Sequence, residues 1–248
     1  MNGVRRRKRR AGASGLLISL LCFALAGLLV WGMCAAQKAA SPCADPDGCA
    51  ITDTDGFPLV DWEHWQEVNL DVIGWITIPG TSVNHPIVRA PEHVPEFYLD
   101  HDVTGAWNPY GCPYLDADCA EKGLLSLDAV VEGHHLSDGS VFSDIARYVD
   151  EAYATEHRVM LLQAPGIKWR FRADAIERID ATETMKETGI ADERQLQQWW
   201  ERTCARAMTC FPDAEAEPER VLTLVTCESA ERTDIRVLVH AVLMEESY

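Results

Sequence analysis

Cys227 closes an apolar run, VLTLVTC, and a polar stretch, ESAERTD, separates it from a second run, RVLVHAVL, that begins at Arg236. Two consecutive strands of this kind pair antiparallel, which puts Cys227 and Arg236 at the same end of one ladder. A guanidinium placed there can favour a thiolate or bind a developing oxyanion, and it does not lose its own proton. The pattern also fits an inert cysteine buried in a strand. A thiol nucleophile needs a proton carrier, and eight histidines compete for that role. His64 falls on a surface helix, His157 in a charged stretch, His85 before Pro86, and His240 on the same strand face as Leu238. His134 and His135 differ, because they follow an apolar strand and Gly133 and so leave the sheet on a turn, where sites accumulate. Adjacent histidines could also bind a metal, but no third histidine or carboxylate stands nearby at ligand spacing.

The elements that must hold these residues are short strands. Candidates run over 72–78, 82–88, 125–131, 158–162, 168–175, 221–226 and 235–243, the first ending at the turn dipeptide Pro79-Gly80. Pro86 in the second candidate favours a sheet edge. A helix over 192–207 interrupts the series, opened by Asp192 with Gln195 three residues on and carrying Leu196, Trp199, Trp200, Cys204 and Ala207 on one face. Shorter helices are expected around 141–148 and at Trp62, Trp65 and Val68. Many short strands with isolated helices predict a mainly β barrel or sandwich.

Composition sets the compartment. The 248 residues carry 22 Lys+Arg against 39 Asp+Glu, yet six of the cations form one block, Arg5 to Arg10. Without that block the balance is 16 basic to 39 acidic, a net of −23, which is a poor surface for nucleic acid. Residues 11–37 hold no charge, long enough for the roughly 20 residues that cross a bilayer. The positive-inside rule puts residues 1–10 in the cytoplasm and everything after the segment outside. A cleaved signal peptide is the competing reading, with small residues at Ala35, Ala36, Ala39 and Ala40. The expected layout is a basic tail over 1–10, a transmembrane signal-anchor over 11–37, a spacer over 38–60 and a catalytic domain over 61–248. In an exported domain, cysteine pairs read as disulfides. Spacing suggests Cys43 with Cys49, Cys112 with Cys119 and Cys204 with Cys210, leaving Cys227 as the odd thiol.

Several of these segments together resemble the sortase family. Thr223–Cys227 (TLVTC) with Arg236 nine residues on is similar to the sortase signature TLxTC followed by Arg. Gly133-His134 followed by Asp138-Gly139-Ser140-Val141-Phe142 is similar to the segment that carries the family's histidine, and the stretch 69–81 (NLDVIGWITIPGT) to its opening strand. Tyr98-Leu99 and the stretch 111–116 (GCPYLD) fall where the family has two further elements. The likeness runs from about Trp62 to Leu243, and the placement of the 192–207 helix resembles class B. It implies an eight-stranded sortase-type β-barrel with a few peripheral helices, preceded here by one N-terminal transmembrane helix. It further implies a cysteine transpeptidase on a Gram-positive-type surface, with Cys227 as nucleophile, His134 as proton carrier and Arg236 at the oxyanion. The implied partners are surface proteins or pilins bearing an LPxTG-like sorting signal, and an amine on a peptidoglycan precursor or pilin; no cofactor or metal is implied. Two departures stand out: His135 occupies a position where many members have Asn, and Glu132 puts a charge before Gly133 where an uncharged residue is common, beside the histidine. A cysteine peptidase using the same residues, and a disulfide-stapled binding module without catalysis, remain the alternatives.

Overall fold

The computed structural model describes residues 52–182 and 189–248. The expected tail, anchor and Cys43–Cys49 loop lie outside the described residues, and among those described no helix is long and apolar enough to cross a membrane.

Strands β1 (Val72–Thr77) and β2 (Asn84–Arg89) form an antiparallel pair joined through the Pro79-Gly80 turn, where Gly80 takes φ 81°. Alternate residues of β1 are buried, the period-2 pattern of a strand with one face on a core. Then come β3 (Tyr114–Leu115), β4 (Asp128–Glu132), β5 (Val159–Ala164), β6 (Ile167–Asp180), β7 (Thr209–Cys210), β8 (Val221–Cys227) and β9 (Ile235–Ser247). The spatial order is β5-β1-β2-β3-β4-β8-β9-β6-β7, and β5 also pairs with β6. Eight strands therefore close into a barrel, with β7 attached to the outer half of β6. Closure pairs the two ends of the sheet and removes the exposed edges an open sheet would carry. The core is filled by Ile76, Ile87, Val130, Phe142, Trp169, Leu222, Leu224 and Val239 among others.

The strand positions differ from the sequence reading in informative ways. Pro86 is not on an edge, since β2 lies between β1 and β3. It is tolerated because β3 reaches β2 only at Val88 and Arg89, so no partner strand asks Pro86 for an N–H on that side. The strand expected over 125–131 begins later, at Asp128. Gly123 at φ 63° and the Ser126 N–H to Gly123 carbonyl bond (3.1 Å) turn the chain first, which leaves Leu125 exposed. Residues 52–60, expected as spacer, pack on the barrel: Phe57 is buried and the Pro58 carbonyl accepts from Gln163 Nε2 at 3.0 Å.

Helix α1 (Trp62–Val68) is capped by Asp61, whose side chain accepts from the His64 N–H, and Trp65 lies on Trp75 with ring centroids 5.3 Å apart. Short helices α2 (Ser143–Ala146) and α3 (Glu151–Glu156) follow β4. The long helix, α4 (Glu193–Arg206), starts as expected: Asp192 accepts from the Gln195 N–H at 2.9 Å. It buries Leu196, Trp199 and Trp200 against Ala175, Val221 and Val242. Two buried indoles of about 200 Å² each give roughly 10 kcal/mol of transfer free energy before entropy is counted. Beneath them a buried polar chain crosses from strand to strand. The Thr223 hydroxyl donates to Asp128 Oδ1 (2.7 Å) and meets His240 Nδ1 (2.9 Å); His240 Nε2 meets Glu177 (3.1 Å), whose carboxylate accepts from Arg206 Nη2 of α4 (3.2 Å). His240 is thus structural. Burial pushes the Asp128 carboxyl up to about 7, against the Thr223 hydrogen bond that favours its anion.

Two of the expected disulfides, Cys112–Cys119 and Cys204–Cys210, are corrected. Among the described residues every cysteine is a thiol. Cys112 directs its Sγ to the Pro86 carbonyl in a small cluster with Val72 and Tyr98, and Cys119 directs its Sγ to the Asp128 carbonyl in the main core. The strand β3 between them carries the two into different clusters, so closeness in sequence does not become closeness of sulfur. Cys204 and Cys210 do meet, α4 to β7, as hydrogen-bonded thiols; burial, then Cys210, pushes the Cys204 thiol up to about 12.

Candidate active site

β8 and β9 pair antiparallel over their whole common length, and the last register pair is Cys227 with Arg236. β4 runs parallel to β8, with Glu132 beside Val225, so the chain leaves β4 at the end of the barrel where Cys227 stands. The exit is pinned: the Gly133 N–H donates to the Val225 carbonyl (3.1 Å) and the Thr226 hydroxyl donates to the Gly133 carbonyl (2.8 Å). Only glycine fits there, because a Cβ would lie 2.7 Å from the buried Phe142 ring. The segment then folds back, with the Phe142 N–H donating to the His134 carbonyl at 3.0 Å and a bridge from His135 to Val141. Val141 takes φ 56°, a left-handed conformation that is rare for a β-branched residue and is held by its burial in the core.

This turn sends the two histidines to different places. His134 lines the same cleft as Cys227 and Arg236. Its Nε2–H donates to the Leu99 carbonyl at 2.6 Å, so a neutral ring carries its lone pair on Nδ1. His135 turns back and donates from Nδ1 to the Cys227 carbonyl at 3.1 Å, bracing the strand end. The carbonyl of Leu99 is placed by its own loop. Asn69 donates to Tyr98 Oη (2.7 Å) and to the Val103 carbonyl (2.8 Å), and Gly111, at φ 61°, passes so close to Tyr98 and Leu99 that a Cβ would lie 2.6 Å from the Tyr98 carbonyl oxygen.

The cleft has a volume of about 250 Å³ and is lined by Leu99, Tyr114, Glu132, Gly133, His134, Val225, Thr226, Cys227, Thr233 and Arg236. Arg236 donates to the Thr233 carbonyl. Burial pushes the Cys227 thiol up; Arg236 pulls it down and Glu132 adds to the rise. Glu132 is itself pushed up by burial, opposed by the hydrogen bond from Tyr114 Oη (3.0 Å) and by Arg236. Burial, then Glu132, raises the Tyr114 phenol well above its ordinary value. The charge of Glu132 therefore falls on Cys227 and Tyr114, whereas the sequence pointed only to the neighbouring histidine. Tyr114, Leu99 and Thr233 carried no chemical signal in the sequence, since each enters the cleft through tertiary placement.

Among the described residues no three His, Cys, Asp or Glu side chains gather to hold a metal. His134 and His135 face different partners, and the remaining histidines stand elsewhere. His64 is exposed on α1, His85 is buried in the β2 wall, His101 stacks on Phe97 and His157 stacks on Tyr153.

Residues 76–244 match the family described as Sortase domain. The chain is similar to sortase B of Staphylococcus aureus (strain NCTC 8325 / PS 47), 22% identical over 187 residues that make up 75% of each chain. It is also similar to sortase B of Listeria monocytogenes serovar 1/2a, 21% identical over 180 residues, 73% of this chain and 72% of that one. Among solved structures, the fold is shared with the Staphylococcus aureus sortase B-substrate complex (TM-score 0.64, 22% identity, covering 74% of this chain and 84% of that chain). The Clostridium perfringens sortase B structure is alike too (TM-score 0.65, 21% identity, 74% and 99%).

Proposed function

Because the chain belongs to the sortase family and is a cysteine transpeptidase of the class B type, we propose that Cys227, His134 and Arg236 are its catalytic residues. The observation that carries this is the meeting of all three in one cleft, with Cys227 and Arg236 as direct register partners. Cys227 Sγ attacks the Thr–Gly carbonyl of an LPxTG-like sorting signal while its proton passes to His134. The oxyanion forms against the Arg236 guanidinium. The C–N bond then breaks, His134 protonates the departing glycine amine, and a thioester remains on Cys227. An amine on a peptidoglycan precursor or a pilin gives its proton to His134, attacks the thioester and releases the thiol. His135 has no part in this, because its ring is committed to the Cys227 carbonyl.

In the same reading residues 1–10 form a cytoplasmic tail and 11–37 a single-pass anchor in the cell membrane. Residues 38–51 link that anchor to a catalytic domain facing the wall space, expected over 61–248 and extended by the packed residues 52–60. The uncharged stretch, the basic block before it and the acidic body after it support this.

The test is thioester capture with a sorting-signal peptide. Cys227→Ala and His134→Ala abolish it, and His135→Ala retains at least a tenth of the parental rate. Activity surviving in Cys227→Ala overturns the mechanism. Added amine raises the yield of ligated product if the enzyme transfers, and leaves it flat if the enzyme only hydrolyses.

A further inference from the structure

One group in the cleft has no part in the steps above: the carboxyl of Glu132. Register fixes where it points. Glu132 pairs with Tyr114 on one side and with Val225 on the other, and Val225 and Cys227 alternate onto one face of β8. The Glu132 carboxyl thus shares a face with the thiol. Tyr114 Oη donates to Oε2 at 3.0 Å and holds it there. Leu99 and Val225 make the surrounding wall apolar, so charges in the cleft act on one another with little screening. Around the carboxyl stand Tyr114 from β3, Glu96 from the loop before it, Arg236 from β9, Cys227 from β8 and His134 from the turn after β4. Among the described residues Arg236 is the only permanent cation that lines this cleft, and it acts on three groups there: the Glu132 carboxyl, the Cys227 thiol and the Tyr114 phenol.

We propose that Glu132 sets the resting state of the nucleophile: its carboxylate, held by Tyr114 on the face that carries Cys227, opposes the Arg236 guanidinium so that Cys227 rests as a thiol until a substrate carbonyl engages Arg236. The inference rests on the catalytic assignment of Arg236 and Cys227, and adds a fourth group to it. A carboxylate that merely supported Tyr114 would leave the thiol's chemistry untouched. One that opposes Arg236 leaves a signature in that chemistry.

The experiment follows alkylation of Cys227 by iodoacetamide, a neutral reagent, against pH in the full-length protein. A background in which the other cysteines are Ser isolates the signal. Glu132→Gln keeps an acceptor for Tyr114 and removes the charge. The midpoint of alkylation is expected to move down by about one pH unit, a rate on the order of tenfold faster below the parental midpoint. Tyr114→Phe, which costs the carboxylate its donor, moves it the same way by less. In an Arg236→Ala background the midpoint moves up instead, because the thiolate has lost its cation. An unchanged midpoint in Glu132→Gln with native circular dichroism overturns the proposal. So does a midpoint in Arg236→Ala that stays at the parental value, because the guanidinium would then have no hold on the thiol for Glu132 to oppose. Alkylation needs no sorting signal, so a failure to form any thioester would count against the proposed function alone.

Discussion

Asp128→Asn should reverse the sign of its effect on stability as pH changes. Asp128 is 4% exposed, its Oδ1 accepts from Thr223, and its Oδ2 has no hydrogen-bond partner among the described residues. Burial pushes its carboxyl from 3.8 up to about 7. A carboxyl whose folded value exceeds its unfolded value holds its proton more tightly in the folded state. Between pH 3.8 and about 7 the folded chain keeps a proton that the unfolded chain has lost, so stability falls as pH rises through that window. Above about 7 the group is ionised in both states and the penalty is constant. The full shift of about 3 units corresponds to roughly 4 kcal/mol, of which about 2–3 kcal/mol develops between pH 5 and 8. Asparagine cannot titrate. Its amide still offers Thr223 an acceptor and still buries one unmatched group, so the fixed cost of the substitution is the same at every pH. Urea midpoints for parent and variant at pH 5, 6, 7 and 8 give the difference directly. The variant is expected to gain about 2–3 kcal/mol on the parent over that range. A difference that stays flat with pH would show that the Thr223 bond and local relaxation hold Asp128 near its unfolded value, and would refute the reasoning.

Gly133→Ala puts a Cβ 2.7 Å from the immobile Phe142 ring, so the turn that delivers His134 must shift; a loss of about 1–3 kcal/mol in urea is expected. Thioester capture should fall more than tenfold while iodoacetamide still reaches Cys227. Asp174, fully buried, accepts from Arg158 Nη2 (2.6 Å), Arg172 Nε (2.7 Å) and the Glu215 N–H (2.8 Å). Asp174→Ala leaves Arg158 and Arg172 only the exposed Asp213 as an acidic partner and should cost about 3 kcal/mol, read as a drop in urea midpoint. Trp199→Ala removes the ring that packs edge-on against His240 and should cost about 3–5 kcal/mol by the same measurement.

How far the sequence could be read varied with the range of the contacts involved. Cys227 and Arg236 belong to consecutive strands joined by a short connection, so alternation and antiparallel pairing were enough to place them together. The cap at Asp192 and the apolar face of α4 were equally local. The ladders β1–β5, β4–β8 and β6–β9 and the position of Pro86 were not, because each depends on which strands meet across the barrel. The cysteine spacing misled for the same reason, as β3 sends Cys112 and Cys119 to separate clusters.

The choice between two adjacent histidines marks the boundary most clearly. Residue type and the preceding glycine brought the candidates down to His134 and His135, and the resemblance to sortases chose the first. The contacts that separate them come from elsewhere in the chain: the Leu99 carbonyl takes one ring and the Cys227 carbonyl the other. Glu132 is similar. Its charge was visible beside Gly133, but its partners Tyr114, Arg236 and Cys227 arrive on three other strands. The sequence by itself determined the residue types, the alternation of the strands and the nearest-neighbour pairing, which depend on local geometry. The tertiary structure decided which groups share one small apolar cleft, and there the low dielectric makes each charge depend on the others.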